Sequence, residues 1–228
     1  MLRAALVLAL ALLQTPAAAP RFDSGRAWSD LRTMVGFGPR PAGSAEIEQT
    51  RQYIKTQLAQ AGVAVREQAW DDTTPAGRVH MVNLIATLPG TSRDRIVIAG
   101  HFDTKRFREF RFVGANDGGS SAAFLIELAR VLKTRRNPFT MELLFLDGEE
   151  AVVEWEGNDH TYGSRYYAQS AQKAGAIKTL RANILVDMVG DADLRARLEQ
   201  MREAFDALPI GVWFVDPDGQ VQDVNKAG

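Results

Sequence analysis

Residues 141–151 read MELLFLDGEEA, and the fold follows from how this stretch is understood. The apolar run Leu143–Leu146 is too short for an ordinary helix and is bounded by turn residues, the pattern of a strand covered on both faces. It stops abruptly at Asp147, Gly148, Glu149 and Glu150. Carboxylates crowded into one turn repel each other and resist burial, so a purely structural role explains them poorly and a shared cation explains them well.

Two further runs repeat the pattern. RIVIAGHFDT (95–104) and ANILVDMVG (182–190) are apolar segments, read as buried strands, that end in His101 and Asp103 and in Asp187. Between them SSAAFLIELARVLKT (120–134) has the spacing of an amphipathic helix, with Asp117 just ahead of it. Upstream, Ser44 is placed to cap a helix whose apolar positions are Ile47, Tyr53, Ile54, Leu58 and Ala61, and Gly62 ends it. Val63–Trp70 and Val82–Gly90 read as strands, and Gly163–Lys173 reads as another helix. Strands alternating with helices indicate an α/β sheet with helices on both faces. Ligands bind such sheets in the crevice beyond the carboxyl ends of the strands, so the acidic turns should converge there. Several carboxylates and an imidazole suit a divalent ion such as Zn²⁺.

Taken singly, these signals are weak. A lone Glu-Glu pair is most often a solvated helix start, and Asp147 can simply cap a turn. His80 and His160 read as ordinary surface or loop histidines, and Trp155 as a core residue in preference to a wall of a substrate pocket. Lys105 is either a solvated lysine or a counter-charge to the carboxylates. The weight lies in the convergence of three strand ends.

The 228 residues suffice for one domain, and 46% hydrophobic with 24% charged residues is a globular composition. The net charge of −1, read together with no evident basic cluster interleaved with aromatics, leads to no nucleic-acid or anionic-membrane partner being expected. Residues 1–19 read as a secretory signal peptide: Arg3, an apolar run from Ala4 to Leu13 too short to span a bilayer, then small residues around Ala17. The expected location is therefore the periplasm or the cell exterior, with no membrane attachment after cleavage. The absence of cysteine leaves the fold to its core alone.

Together, GPRPAGS (38–44), AGHFDTKRF (99–107), FVGANDGGSSAAFLIELAR (112–130), LLFLDGEEA (143–151), TYGSRYYA (161–168) and LVDMVGDADL (185–194) resemble metallopeptidase family twenty-eight, from about Phe37 to Leu194. That family contains zinc aminopeptidases and glutaminyl-peptide cyclotransferases, and HFDTKRF, FVGAND, the tryptophan after DGEEA and YGSR are more similar to the cyclotransferases. The resemblance implies a zinc-exopeptidase-like three-layer αβα fold with a mostly parallel, mixed central sheet. It implies Asp117 and Glu150 as zinc ligands, Glu149 as general acid/base, and Asp187 as a carboxylate that hydrogen-bonds substrate or, in two-metal aminopeptidases, ligates metal. His101 matches an aminopeptidase ligand and Asp103 the residue that orients it. The implied reaction converts an N-terminal glutamine of a peptide or protein to pyroglutamate with release of ammonia, using one zinc. The alternative is a two-zinc aminopeptidase.

The likeness stops near Asp193–Leu194. The family draws a further histidine ligand from later in the chain, and here no histidine follows His160. The zinc domain is therefore taken as residues 20–197, incomplete at its C-terminal side, and an inactive remnant is the third reading. Residues 198–228 read as an amphipathic helix, a strand, a DPDG turn and a second strand, and from about Ala204 they resemble the opening of a PAS sensor domain.

Overall fold

The computed structural model describes residues 21–190 and two short strands at 213–215 and 221–224. The leader (1–19) and the helix expected after residue 198 lie outside the described residues.

Two helices open the chain, α1 (Ser24–Phe37) and α2 (Ala45–Gln60). The Ser44 hydroxyl accepts from the Ile47 amide at 3.1 Å, the cap expected from the sequence. A hairpin follows, β1 (Val65–Thr74) and β2 (Gly77–Leu88). Then come β3 (Arg95–His101), α3 (Ser121–Lys133), β4 (Thr140–Leu146), α4 (Tyr162–Lys173) and β5 (Leu180–Leu185). The sheet order is β1-β2-β4-β3-β5. It is mixed, with β1–β2 and β2–β4 antiparallel and β3–β4 and β3–β5 parallel.

Alternation along β4 explains its unbroken apolar run. Leu143 and Phe145 join the core beneath α1, α2 and α3, while Leu144 and Leu146 join a second cluster against Tyr167 of α4. Both faces are covered, giving three layers, and a strand buried on both sides has no polar face to show.

One expectation changes here. The run at 182–190 is not a buried strand: β5 ends at Leu185 and lies at the sheet edge, with Ile184 47% and Leu185 66% exposed. Hydropathy alone cannot separate a central strand from an apolar edge strand. Farther on, β6 (Trp213–Val215) and β7 (Val221–Val224) pair antiparallel, as the strand–turn–strand reading of the tail requires.

Register places the chemistry. His101 of β3 lies level with Leu146 of β4, and Ala99 lies level with Leu185 of β5. Asp103, the 147–150 turn and Asp187 therefore emerge at one edge of the sheet. Gly100 lets these elements approach so closely, because a Cβ there would stand 2.8 Å from the Ser121 Cβ and 3.0 Å from the Val186 carbonyl.

Candidate metal centre

His101 is the middle of the site. It is 2% exposed. Its Nδ1 lies 3.3 Å from Asp103 Oδ1, and its Nε2 lies 3.0 Å from Asp117 Oδ1 and 3.4 Å from Asp187 Oδ1. Ligand atoms of His101, Asp117 and Asp187 all fall within 4.8 Å of one another, a spacing that one metal ion can bridge. Nε2 is buried and, despite its short distance to Asp117, is not aligned for a hydrogen bond to any group. A nitrogen left without a proton partner among carboxylate oxygens is what a metal-ligating imidazole requires. The donor set of one nitrogen and several carboxylates fits a borderline divalent ion.

Asp117 reaches this position through an irregular turn, Ala115–Ser120, that precedes α3. Its own backbone is extended (φ −80°, ψ 110°), and Gly118 turns the chain with φ 78°. A Cβ on Gly118 would sit 2.5 Å from the Asp103 carbonyl and 3.0 Å from His101 Cε1, so glycine is required twice over. Asp103 is the organising carboxylate. Besides facing His101, it accepts from the Glu149 amide at 3.1 Å and the Glu150 amide at 3.0 Å, tying the β4 turn to β3.

The expected ligand Glu150 lies outside the three-residue group, whereas Asp187, expected as a substrate-binding carboxylate, lies inside it. The pKa values show how crowded these carboxylates are. Burial, then the charges of Asp117 and Asp103, push Glu150 up to about 8. Burial pushes Glu149 to about 6; the imidazole opposes this, and Asp103, Asp187 and Asp117 add to it. Burial disfavours a charged His101, but the adjacent Asp103, Asp117 and Asp187 carboxylates outweigh it and hold the imidazole well above its ordinary value. The adjacent His101 imidazole in turn lowers Asp187. Glu149 has its Oε2 3.9 Å from His101 Nδ1.

Other residues fall differently from their sequence readings. Lys105 is neither solvated nor a counter-charge: its ammonium donates to the Ala151 and Val153 carbonyls at 2.9 and 2.5 Å. Trp155 is not core. It is 51% exposed and stacks on His160 at 4.9 Å between ring centroids. His80 is a surface residue 2.8 Å from Asp71. Two supporting residues gave no sequence signal. Asp159 accepts from the amides of Val152, Val153 and Glu154 and from the Tyr162 hydroxyl, fixing the loop after the acidic turn. Arg40 is fully buried and donates to the carbonyls of Phe102, Val113 and Gly114. Only GPRPAGS, as a turn-rich segment, marked its neighbourhood.

Residues 83–208 match the family model described as Peptidase family M28. The chain belongs to this family. Among relatives of the M28 chain, a glutaminyl-peptide cyclotransferase of Drosophila melanogaster is 32% identical over 161 residues, covering 68% of this chain and 46% of that protein. A glutaminyl-peptide cyclotransferase-like protein of Mus musculus is 34% identical over 189 residues, covering 75% and 49%. The crystal structure of an Acidobacteriales bacterium glutaminyl cyclase superposes with a TM-score of 0.73 at 34% identity, over 78% of this chain and 63% of that one. The chain thus spans about half the length of the curated relatives it matches. No helix among the described residues is long and apolar enough to cross a membrane.

Proposed function

We propose that the chain carries the chemistry of a zinc-dependent glutaminyl-peptide cyclotransferase, an acyltransferase built on the M28 fold. One observation carries this reading: a buried imidazole nitrogen without a hydrogen-bond partner stands among the Asp117 and Asp187 carboxylates, and a third carboxyl, Glu149, whose pKa is raised to about 6, lies 3.9 Å from the other ring nitrogen. The relatives named as cyclotransferases support the choice of reaction within the family.

His101, Asp117 and Asp187 are the side chains placed to hold the ion, and Glu150 can join them once a cation removes the repulsion from Asp117. A bound zinc would polarise the side-chain amide carbonyl of an N-terminal glutamine. Glu149 then accepts a proton from the attacking α-amine and delivers it to the departing ammonia, a task suited to a carboxyl with a pKa near the working pH. Asp103 holds both the imidazole and the 149–150 amides, fixing Glu149 relative to His101. The substrates are peptide or protein N-termini. The leader reading at residues 1–19 places the reaction outside the cytoplasm, and the boundary at 197/198, with a PAS-like segment after it, belongs to the same proposal.

The placement of Asp187 beside His101 favours, as a second reading, a two-metal aminopeptidase in which both are ligands. The test is to incubate the purified chain with zinc and a peptide beginning with glutamine, recording ammonia release and bound metal. Ammonia release with one zinc equivalent supports the cyclotransferase. Release of the first residue with two equivalents supports the aminopeptidase. Neither product from a chain folded by circular dichroism supports the inactive remnant.

A further inference from the structure

A cleft of about 840 Å³ opens beside the metal centre, with Asp103 and Glu150 in its lining. The acidic turn that carries Glu149 contributes Glu150 and residues 151–154 to this lining, so a peptide held at Glu149 can extend along the cleft. One wall is the loop that follows β3, KRFREFRF (105–112), in which four cations alternate with three phenylalanines and one glutamate. The sequence reading passed over this basic, aromatic cluster because the net charge of the chain is near zero.

The charges around the cleft are not equally available. Lys105 is spent on the 151 and 153 carbonyls, and Arg78 and His80 both face Asp71. Arg106 and Arg108 line the cleft and are exposed, and among the described residues neither has a carboxylate within ion-pair distance. The loop that carries them is stiffened by its own aromatics. Phe107 stacks on Phe110 at 4.5 Å and meets Phe112 edge-on at 5.3 Å. Phe107, 40% exposed, also lines the cleft, so an apolar face lies beside the two guanidiniums.

We propose that Arg106 and Arg108 select peptides bearing acidic side chains in the residues just after the reacting N-terminal one. A guanidinium pairs with a carboxylate through parallel hydrogen bonds, and the apolar Phe107 face in the same lining leaves less water to compete with that pairing. A peptide fits better than a lipid surface, because the two arginines line a concavity next to the reacting groups and the phenylalanine rings pack on each other. The inference rests on the cyclotransferase or peptidase reading only in taking a peptide as the occupant.

The experiment measures binding separately from turnover. Fluorescein-labelled peptides that start with glutamine and continue with two glutamates, two glutamines or two lysines are titrated against the full chain by anisotropy at low salt. The acidic peptide should bind about three- to tenfold more tightly than the neutral one, the lysine peptide more weakly still, and the difference should shrink as salt screens it. Replacing both residues (R106Q with R108Q) should bring the ratio to about one, while R135Q, on the loop after α3, keeps it. Equal binding of all three peptides, no binding of any, or binding to anionic vesicles without peptide preference each overturns the proposal. Turnover of the same peptides reports on the reaction alone: selective binding without ammonia release would sink the cyclotransferase and leave the acidic selectivity standing.

Discussion

Arg40 offers the strongest test of how the site is held together. Its guanidinium is wholly buried and, among the described residues, makes no ion pair within bonding distance. Instead Nε donates to Phe102 O at 3.0 Å, Nη1 to Val113 O at 2.7 Å and Nη2 to Gly114 O at 3.1 Å. The first carbonyl follows directly after His101, and the other two lead into the turn that carries Asp117. One side chain therefore joins the strand and the loop that supply two of the three candidate ligands. Burial pulls its pKa down to about 10, and the charges of Asp103 and Asp117 act against that.

Arg40→Ala removes four hydrogen bonds from a charged donor, the fourth being Nη1 to Gly38 O at 3.3 Å, each of order 1.5–3 kcal/mol; the Phe102, Val113 and Gly38 carbonyls lose their side-chain donor, while Gly114 O keeps the Gly119 amide. Allowing for some water entry, the loss should be about 4–6 kcal/mol, a large part of the roughly 5–15 kcal/mol of a whole domain. Arg40→Lys keeps the charge but, as a single point donor, satisfies only part of the set, so about 2–3 kcal/mol is expected. Urea unfolding followed by circular dichroism gives both numbers, and zinc competition with a chelating dye should show weaker metal binding by Arg40→Lys. A loss under about 1 kcal/mol for Arg40→Ala would refute the view that this arginine is the clamp.

Gly118→Ala should cost about 2 kcal/mol or more, because the φ of 78° is unfavourable for alanine and its methyl would meet the Asp103 carbonyl at 2.5 Å; thermal unfolding and dye competition should show lower stability and lower zinc affinity together, and an unchanged melting temperature would contradict the geometry. Asp147 gives a pH test. Burial, reinforced by the Asp103 charge, raises its folded pKa to about 7, above the 3.8 of the unfolded chain. The folded state then holds a proton that the unfolded state has lost, so this contribution to stability is full below about pH 4 and disappears as pH rises through about 7. Asp147→Asn keeps an oxygen for the Val82 amide, which donates at 2.8 Å, and should flatten the profile by up to about 2.5 kcal/mol between pH 5 and 8; identical urea midpoints across that range for wild type and variant would exclude the shifted carboxyl.

The layered fold was legible because β3 and β4 are covered on both faces and their hydropathy says so. The edge position of β5 was not legible, since Ile184 and Leu185 have the composition of a central strand and only pairing reveals the edge. Glu149 stood out in the sequence because a turn after a buried strand is an expensive place for carboxylates, whereas His101, Asp117 and Asp187 drew notice by converging with it at the ends of apolar runs and ahead of a helix. Their division of labour was not legible. Whether Glu150 or Asp187 stands nearer the imidazole depends on side-chain directions within a turn, which no spacing rule fixes. Trp155 was misjudged because size and apolarity were weighed without the loop that Asp159 holds open. Arg40 and Gly118 were silent for a different reason: their importance lies in carbonyls and backbone angles contributed by distant segments.

The third candidate ligand is the least firmly held, and this connects the metal to the fold. Among the described residues, Asp187 follows a strand paired on one side only, through contacts such as the Val186 amide to the Ala99 carbonyl at 2.8 Å. Beyond it, the Gly190 amide donates to Asn116 Oδ1 at 2.9 Å, so the loop after β5 is fastened to the same turn that presents Asp117. An ion bound by His101, Asp117 and Asp187 would close a ring through β3, the turn before α3 and the edge strand. Any ion that binds only the closed arrangement stabilises it by mass action, and the docking of β5 onto β3 strengthens the ion's hold in equal measure. The acidic turns that destabilise the metal-free site are thereby the means by which a cation secures the edge of the sheet.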